Sequence, residues 1–134
     1  LLRLNKIYKK ILCSLLYWCE GSKQSLSGVR FTNSDSALIK TFLSLFRSTF
    51  NTDENKFRVC IHLHEYHNPK TQILFWSKVT KIDPDLFIKP YCKPHTQKRI
   101  RKEYPGCAAV YYHDINVARR MIVIAKEFLN ITGA

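Results

Sequence analysis

Hydrophobic residues recur along the chain at the two-residue steps of strands and at the three- and four-residue steps of helices. The two-residue pattern is clearest from Phe57 to His64, where it predicts a half-buried strand. The side of this strand that faces the core is expected to hold Phe57, Val59, Ile61 and Leu63. The opposite side is then formed by Arg58, Cys60, His62 and His64. This strand therefore has one apolar side and one polar, basic side.

The helical spacing is present in four segments, of which the first extends from Leu4 to Cys19. The second is expected to begin at an N-cap formed by Asn33 or Ser34, with Asp35 in its first turn. It is expected to end near Phe50. Both segments are long enough for several helical turns.

The remaining two helices have clear start signals. Asn68 followed by Pro69 predicts an N-cap and the first helical position of the third helix. Asp83 and Pro84 are expected to end that helix. Asp114 is expected to cap the last helix.

Three further strands are predicted at Val29 to Thr32, Leu86 to Ile88 and Cys107 to His113. The elements then follow one another in the order αβαβαββα. The sequence contains no internal repeat, low-complexity tract or linker. Residues 1–134 are therefore expected to form a single domain of the α/β (α+β) class.

Lysine and arginine outnumber aspartate and glutamate by 22 to 10, which gives a formal net charge of +12. An excess of this size on one small domain favours a polyanion as the partner. A basic surface without a specific partner is the alternative, because net charge alone governs solubility and non-specific binding. Double-stranded DNA is the partner that we expect.

Two surfaces are candidates for the DNA contact. The polar side of the sheet is expected to present Arg30, Thr32, Arg58, His62 and His64. A sheet fits the major groove, and arginine suits both guanine and phosphate. The second candidate is the segment 89–102, which contains no acid and is expected to form a phosphate-contacting loop. Its basic residues are Lys89, Lys93, Lys98, Arg99, Arg101 and Lys102, and Lys23 is a further expected DNA contact.

The five cysteines form no C-x-x-C pair and are odd in number, so we expect reduced thiols. This favours an intracellular, cytoplasmic protein, associated with the nucleoid if it is bacterial or archaeal. The longest stretch of low polarity, Ile11 to Cys19, is about half the roughly 20 residues that a membrane-spanning helix needs, so no membrane partner is expected. Because the chain begins at Leu1 and its one methionine is Met121, we expect it to be a piece of a longer protein.

The first predicted helix leads directly into an acid. In LLYWCEGSK, from Leu15 to Lys23, an apolar helix is followed by Glu20, Gly21 and a polar turn. The carbonyl end of a helix repels an anion, so Glu20 needs a cation, a metal ion or full exposure to water. The spacing alone leaves these alternatives open.

Five stretches together have a pattern that is recognisable as a family signature. They are Cys13 to Gly21, GVRFTNSD from Gly28 to Asp35, the alternating strand, FWSKVTKI from Phe75 to Ile82, and LFIKP from Leu86 to Pro90. In combination they resemble the LAGLIDADG homing-endonuclease superfamily, and more closely its branch of small, single-motif bacterial and archaeal proteins. The resemblance covers nearly the whole chain and implies a curved, mostly antiparallel sheet with helices on one face.

The resemblance also implies a site. In that family the motif helix packs against a second copy of itself, and the acid at its end holds a divalent metal beside DNA. The family's acid falls on Glu20 and its glycine on Gly21, which implies Glu20 as catalytic residue and Mg²⁺ ligand, with Gly21 in the metal site. One motif per chain implies a homodimer. Its expected interface residues are Leu12, Leu15, Leu16 and Cys19.

Two functions remain open at this point. Retention of an acid at position 20 favours a magnesium-dependent DNA endonuclease. The short segment from Ser22 to Thr32, which replaces the hairpin of active endonucleases, favours a non-cleaving DNA-binding module of a transcription regulator. The resembled branch often carries an upstream helix-turn-helix, and the regulator hypothesis expects such a segment before Leu1. A protein-interaction domain that is incidentally basic is a third alternative.

Overall fold

The computed structural model describes residues 3–23, 26–93 and 105–133, in which four α-helices and four strands follow one another. The helices are α1 (Lys6–Glu20), α2 (Ser36–Thr49), α3 (Pro69–Thr80) and α4 (Ile115–Gly133). The strands are β1 (Val29–Asn33), β2 (Phe57–His64), β3 (Tyr91–Lys93) and β4 (Cys107–Tyr112). The mixed α/β class is as the sequence predicts, whereas the third strand lies at Tyr91–Lys93 and not at the predicted Leu86–Ile88.

The strands form one sheet in the order β1-β4-β2-β3. β4 is antiparallel to both β1 and β2, whereas the short β3 is parallel to β2, so the sheet is mostly antiparallel, as expected. The core lies between one face of this sheet and the helices. The strand residues buried on that face include Val29, Phe31, Phe57, Val59, Ile61 and Leu63.

Stacked aromatic rings fix α1 and α2 against the sheet. The Phe42 ring of α2 stacks on Phe31 of β1, with ring centres 4.1 Å apart and planes 4° apart. Its other neighbours are Phe46 of α2 at 5.6 Å and Tyr17 of α1 at 6.2 Å. Because each pair is fully or almost fully buried, the end of α1 is held in a defined position beside β1.

The prediction of a strand at Leu86–Ile88 is wrong. Pro84–Leu86 form a 3-10 turn instead, and the Asp83 side chain caps this turn. Only Phe87 pairs with β2, through an isolated bridge to Val59. A proline one residue after a capping aspartate favours a turn over an extended strand. A continuous ladder with the edge of β2 is formed by residues 91–93.

The N-cap of α2 also differs from the sequence-based expectation. Asp35 is the cap itself, because its Oδ1 accepts hydrogen bonds from the backbone N–H groups of Ala37 at 3.0 Å and Leu38 at 3.2 Å. Asn33 is not the cap, but its Oδ1 accepts a hydrogen bond from the Asp35 N–H at 2.8 Å. Both Asn33 and Ser34 therefore precede the helix. Consecutive residues with similar capping ability allow either choice from sequence alone.

Gly28 is required where the chain enters β1. Its φ of +130° is in the region that favours glycine, and a Cβ there would lie 2.4 Å from the Tyr112 carbonyl oxygen and 2.7 Å from the Asp114 nitrogen. We expect Gly28→Ala to lower the free energy of unfolding by on the order of 2 kcal/mol, measured by urea denaturation. Ser34→Ala, at an exposed position, is the control. An unchanged unfolding midpoint for Gly28→Ala contradicts this assignment.

Candidate nucleic-acid interface

The sheet face opposite the helices, called the polar face below, has two arginines on either side of a tyrosine. Arg30 of β1 pairs with Tyr111 of β4, and Tyr111 pairs with Arg58 of β2. Directly opposed residues of neighbouring strands point to the same face, so the three side chains form one row. The Arg30 guanidinium lies 5.4 Å from the centre of the Tyr111 ring, a cation–π contact. Arg58 Nη1 donates hydrogen bonds to the backbone carbonyls of Asn55 at 2.7 Å and Phe57 at 2.6 Å.

The polar face continues toward β3 with two more cross-strand pairs. His62 of β2 lies opposite Tyr91 of β3, and the two rings meet edge to face with centres 5.6 Å apart. His64 lies opposite Lys93. Lys93 was expected in a loop, and the structure corrects this: it lies in β3, because residues 91–93 pair with the edge of β2. The exposed Lys89 precedes this strand.

The polar face brings together most of the residues predicted for the sheet. Thr32 of β1 lies opposite Ala109 of β4, and Ala109 lies opposite Cys60 of β2. This row lies between the arginine row and the pair of His62 with Tyr91. The predicted residues that share this face are Arg30, Thr32, Arg58, His62 and His64. Their common placement is as expected from the two-residue pattern, and their role in binding stays a prediction.

The positive charge on this face is not balanced by acids, since none of the described strand positions that form it is Asp or Glu. Burial, followed by the positive charges of Lys93 and Arg30, lowers the pKa of the His62 imidazole. Burial raises the pKa of the Cys60 and Cys107 thiols, so they stay neutral at pH 7. The described strand positions of this face therefore contribute only positive side-chain charge, which favours anions.

The end of α1 lies along the edge of the sheet at β1. The Gly21 N–H donates to the Tyr17 carbonyl at 2.8 Å and ends the helix, and the Ser22 N–H donates to the Arg30 carbonyl at 2.9 Å. A Cβ at Gly21 would lie 2.3 Å from the Tyr17 ring, so a larger residue would displace that buried side chain. This arrangement holds Glu20 beside the edge strand of the polar face.

Glu20 is exposed, and its Oε2 accepts a hydrogen bond from Asn33 Nδ2 at 3.4 Å. Among the described residues, no three His, Cys, Asp or Glu side chains are grouped closely enough to hold a metal ion. The chemistry of the position fits Mg²⁺ only in part, because one carboxylate leaves most of its oxygen ligands to water and other groups. A magnesium site at Glu20 needs further oxygen ligands, such as a second carboxylate.

The residues predicted for a helix–helix dimer lie largely on the outward side of α1. Leu12 is 41% exposed and Cys19 is also exposed, while Leu15 is partly buried. Ile7, which is 70% exposed, adds further apolar surface near the start of α1. Leu16 differs from the other predicted interface residues, because it packs against the core. The outward side of α1 is therefore apolar, which is unusual for a helix face in contact with water.

The other basic residues predicted to contact DNA are only partly within the described residues. Lys23 lies just after α1 and is exposed, with its Nζ 4.1 Å from the centre of the Trp18 ring. The remaining predicted cations lie outside the described residues. These are Lys98, Arg99, Arg101 and Lys102.

The sequence analysis did not identify Tyr111 as part of this surface. The signal was present, because Tyr111 alternates with the buried residues Val110 and Tyr112 in β4. Its position between two arginines depends on the pairing of β4 with both β1 and β2. The sequence pattern does not give that pairing.

Comparison of the chain with protein-family models, with curated proteins and with solved structures finds no match in any of the three. No helix in the described part of the chain is both long and apolar enough to cross a membrane. Function must therefore be inferred from the residues and geometry of this chain.

Proposed function

We propose that the protein binds double-stranded DNA on the polar face, as a homodimer joined through α1. The observation that supports this most strongly is the row of Arg30, Tyr111 and Arg58, next to the unneutralised positive charge around His62. Three adjacent strands, β1, β4 and β2, present this row on one side of the sheet, where a rigid scaffold positions each side chain.

The chemistry of the row suits a duplex. Arginine side chains donate paired hydrogen bonds to guanine or to phosphate, and a sheet enters the major groove. The Tyr111 ring restricts Arg30, which reduces the conformational entropy lost on binding. Lys93 at the sheet edge is positioned for phosphate contacts, which increase affinity without reading sequence.

The proposed dimer uses the apolar outward side of α1. A two-fold interface places the same surface on both subunits, so Leu12 and its neighbours pack against their own copies. Burial of this strip removes exposed apolar area from water. The dimer doubles the basic surface available to DNA and brings two Glu20 carboxylates to one interface.

Metal-dependent phosphodiester cleavage is a second candidate activity, and the exposed position of Glu20 beside β1 favours it. Two such carboxylates, together with phosphate and water oxygens, suit Mg²⁺, which activates water and stabilises the leaving oxygen. The alternative is a non-cleaving DNA-binding module of a transcription regulator. It is favoured by the single strand, β1, that the described residues contain between α1 and α2.

The test is binding to a labelled duplex across a series of salt concentrations, with plasmid cleavage followed in parallel. If about four phosphates are neutralised, the affinity should fall with a log–log slope near −3.6. Binding that does not depend on salt, or the absence of any DNA binding, contradicts the proposed function. A salt-independent protein partner without DNA affinity would instead favour the protein-interaction alternative.

Glu20→Gln separates cleavage from binding in the same experiment. Nicking of supercoiled plasmid that needs Mg²⁺ and is lost in Glu20→Gln supports the endonuclease. Unchanged binding without nicking by either protein supports the non-cleaving module. The glutamine keeps the size of the side chain and removes its charge, so the fold is expected to be unaffected.

His62 is expected to make DNA binding depend on pH. Its lowered pKa keeps the free imidazole neutral near pH 7, and a bound phosphate raises that pKa by favouring the charged form. Binding then takes up a proton, so affinity should rise roughly three- to tenfold as the pH falls from about 7.5 to about 5.5. His62→Gln should flatten this profile in fluorescence-anisotropy titrations. If the affinity of His62→Gln depends on pH as strongly as that of the wild type, the proton is taken up by a group other than His62.

A further inference from the structure

On the helical side of the molecule, two cations from different helices lie against the same aromatic ring. Lys10 Nζ of α1 lies 5.1 Å from the centre of the Phe50 ring, and the Arg120 guanidinium of α4 lies 5.5 Å from it. Phe50 follows α2 and is 4% exposed, so the ring is a fixed part of the core edge. Three elements thus meet where the two positive charges are held.

Neither charge has an acidic partner in the part of the chain that the structure describes. Among the described residues, the ion pairs are Arg47 with Glu54 and Lys56 with Asp114, and neither involves Lys10 or Arg120. Burial and then the charges of Arg120 and Lys6 lower the pKa of the Lys10 ammonium. Like charges held close together without an anion destabilise one another, and a bound anion would remove that repulsion.

Lys10 and Arg120 line the same groove. It has a volume of about 450 Å³ and is lined by Lys10, Asn116, Arg119, Arg120, Val123 and Ile124. Three of these side chains are cations, and the Asn116 amide is a hydrogen-bond donor. Val123, which is 53% exposed, gives the groove an apolar portion. The lining contains no carboxylate, and the volume exceeds what a small inorganic ion needs.

We infer that the groove between α1 and α4 binds a phosphate-bearing ligand, with Lys10 and Arg120 contacting the phosphate oxygens and Val123 contacting the organic part. Asn116 and Arg119 contribute further donors. This site is on the helical side of the sheet and shares no residue with the polar face, so it does not depend on the proposed DNA contact. A free nucleotide and the backbone of a nucleic acid both provide such a phosphate.

The inference is tested with inorganic phosphate, adenosine monophosphate and a short single-stranded oligonucleotide, added at constant ionic strength and measured by calorimetric titration. We expect adenosine monophosphate to bind more tightly than inorganic phosphate. Lys10→Gln and Arg120→Gln should each weaken that binding about tenfold, the effect expected from losing one charge-assisted contact. Lys126→Gln, an exposed cation on α4 outside the groove lining, is the matched control and should bind normally.

Comparison of the ligands separates the sources of the phosphate. Equal or tighter binding of adenosine monophosphate than of the oligonucleotide assigns the groove to a free nucleotide, whereas much tighter binding of the oligonucleotide assigns it to a nucleic-acid backbone. Equal affinities in the wild type, Lys10→Gln and Arg120→Gln overturn the inference, as does the absence of binding of all three ligands. An Arg30→Gln, Arg58→Gln double variant should keep the adenosine monophosphate affinity, so failure of the polar face and failure of the groove are distinguishable.

Discussion

Replacing both Arg30 and Arg58 with glutamate is expected to weaken duplex binding by roughly a hundredfold or more at about 0.1 M salt. The two guanidiniums flank Tyr111 on the polar face, and each reversal removes an attractive charge and adds a repulsive one. A charge-assisted contact contributes about 1.5–3 kcal/mol, so losing two such contacts gives this fold-change. The measurement is fluorescence anisotropy with a labelled duplex, and the fold is checked by circular dichroism.

The matched control for this prediction reverses two charges elsewhere. Lys70→Glu with Lys126→Glu produces the same change in net charge at exposed positions on α3 and α4. If binding depends on the polar face, this control should lose much less affinity than the arginine variant. Equal losses in the two double variants would show that DNA responds only to total charge, and would contradict a specific role for the row.

Introducing a charge at Leu12 is expected to dissociate the dimer. Leu12 is 41% exposed in the single chain and lies at the centre of the apolar outward side of α1. Two-fold symmetry places the change twice in one interface, so Leu12→Glu would bury two like charges without partners. Self-association should weaken at least about a hundredfold, measured by analytical ultracentrifugation.

Leu74→Glu is the control for the dimer. Leu74 is 58% exposed and lies on α3, outside the proposed interface. The Leu74→Glu variant should therefore keep the oligomeric state of the wild type. Leu12→Glu should also weaken DNA binding, because two linked binding surfaces bind more tightly than one. A wild-type protein that sediments as a monomer at high concentration would contradict the proposed dimer while leaving the polar face to be tested by the arginine variants.

The starts of α3 and α4 and the long strand β2 could be predicted from the sequence because their determinants are local. Asn68 and Asp114 accept hydrogen bonds from backbone N–H groups at the starts of α3 and α4, as expected. β2 has the predicted bounds, because alternation over eight residues has few competing explanations. A capping oxygen contacts backbone groups two or three residues away, and a two-residue period is visible within a short segment. Both signals can therefore be read from the sequence alone.

The parts that were wrong or missed depend on distant contacts. β3 is a strand of three residues that forms only by pairing with the edge of β2, so its own sequence contains little strand signal. The row through Tyr111 depends on the register of β4 between β1 and β2. Lys10 and Arg120 are 110 positions apart in sequence and meet only because α1 and α4 pack together at Phe50.

The side of α1 that faces the core also could not be predicted from the sequence. The regular apolar stripe that predicts this helix includes Ile7 and Leu12, which are exposed, whereas the fully buried residues are Cys13, Ser14 and Tyr17. The apolar stripe therefore does not mark the side of α1 that packs against the core of this chain. The sequence thus predicts the helix but does not determine which side of it faces the core.

The central claim is that DNA lies on the polar face, and chemical-shift mapping of isotopically labelled protein titrated with a duplex tests it most directly. The expected result is that the largest amide shifts occur in β1, β2 and β4, around Arg30, Arg58 and Tyr111, with smaller changes in α2 and α3. Shifts confined to the helices, or no shifts at low salt, would contradict the claim.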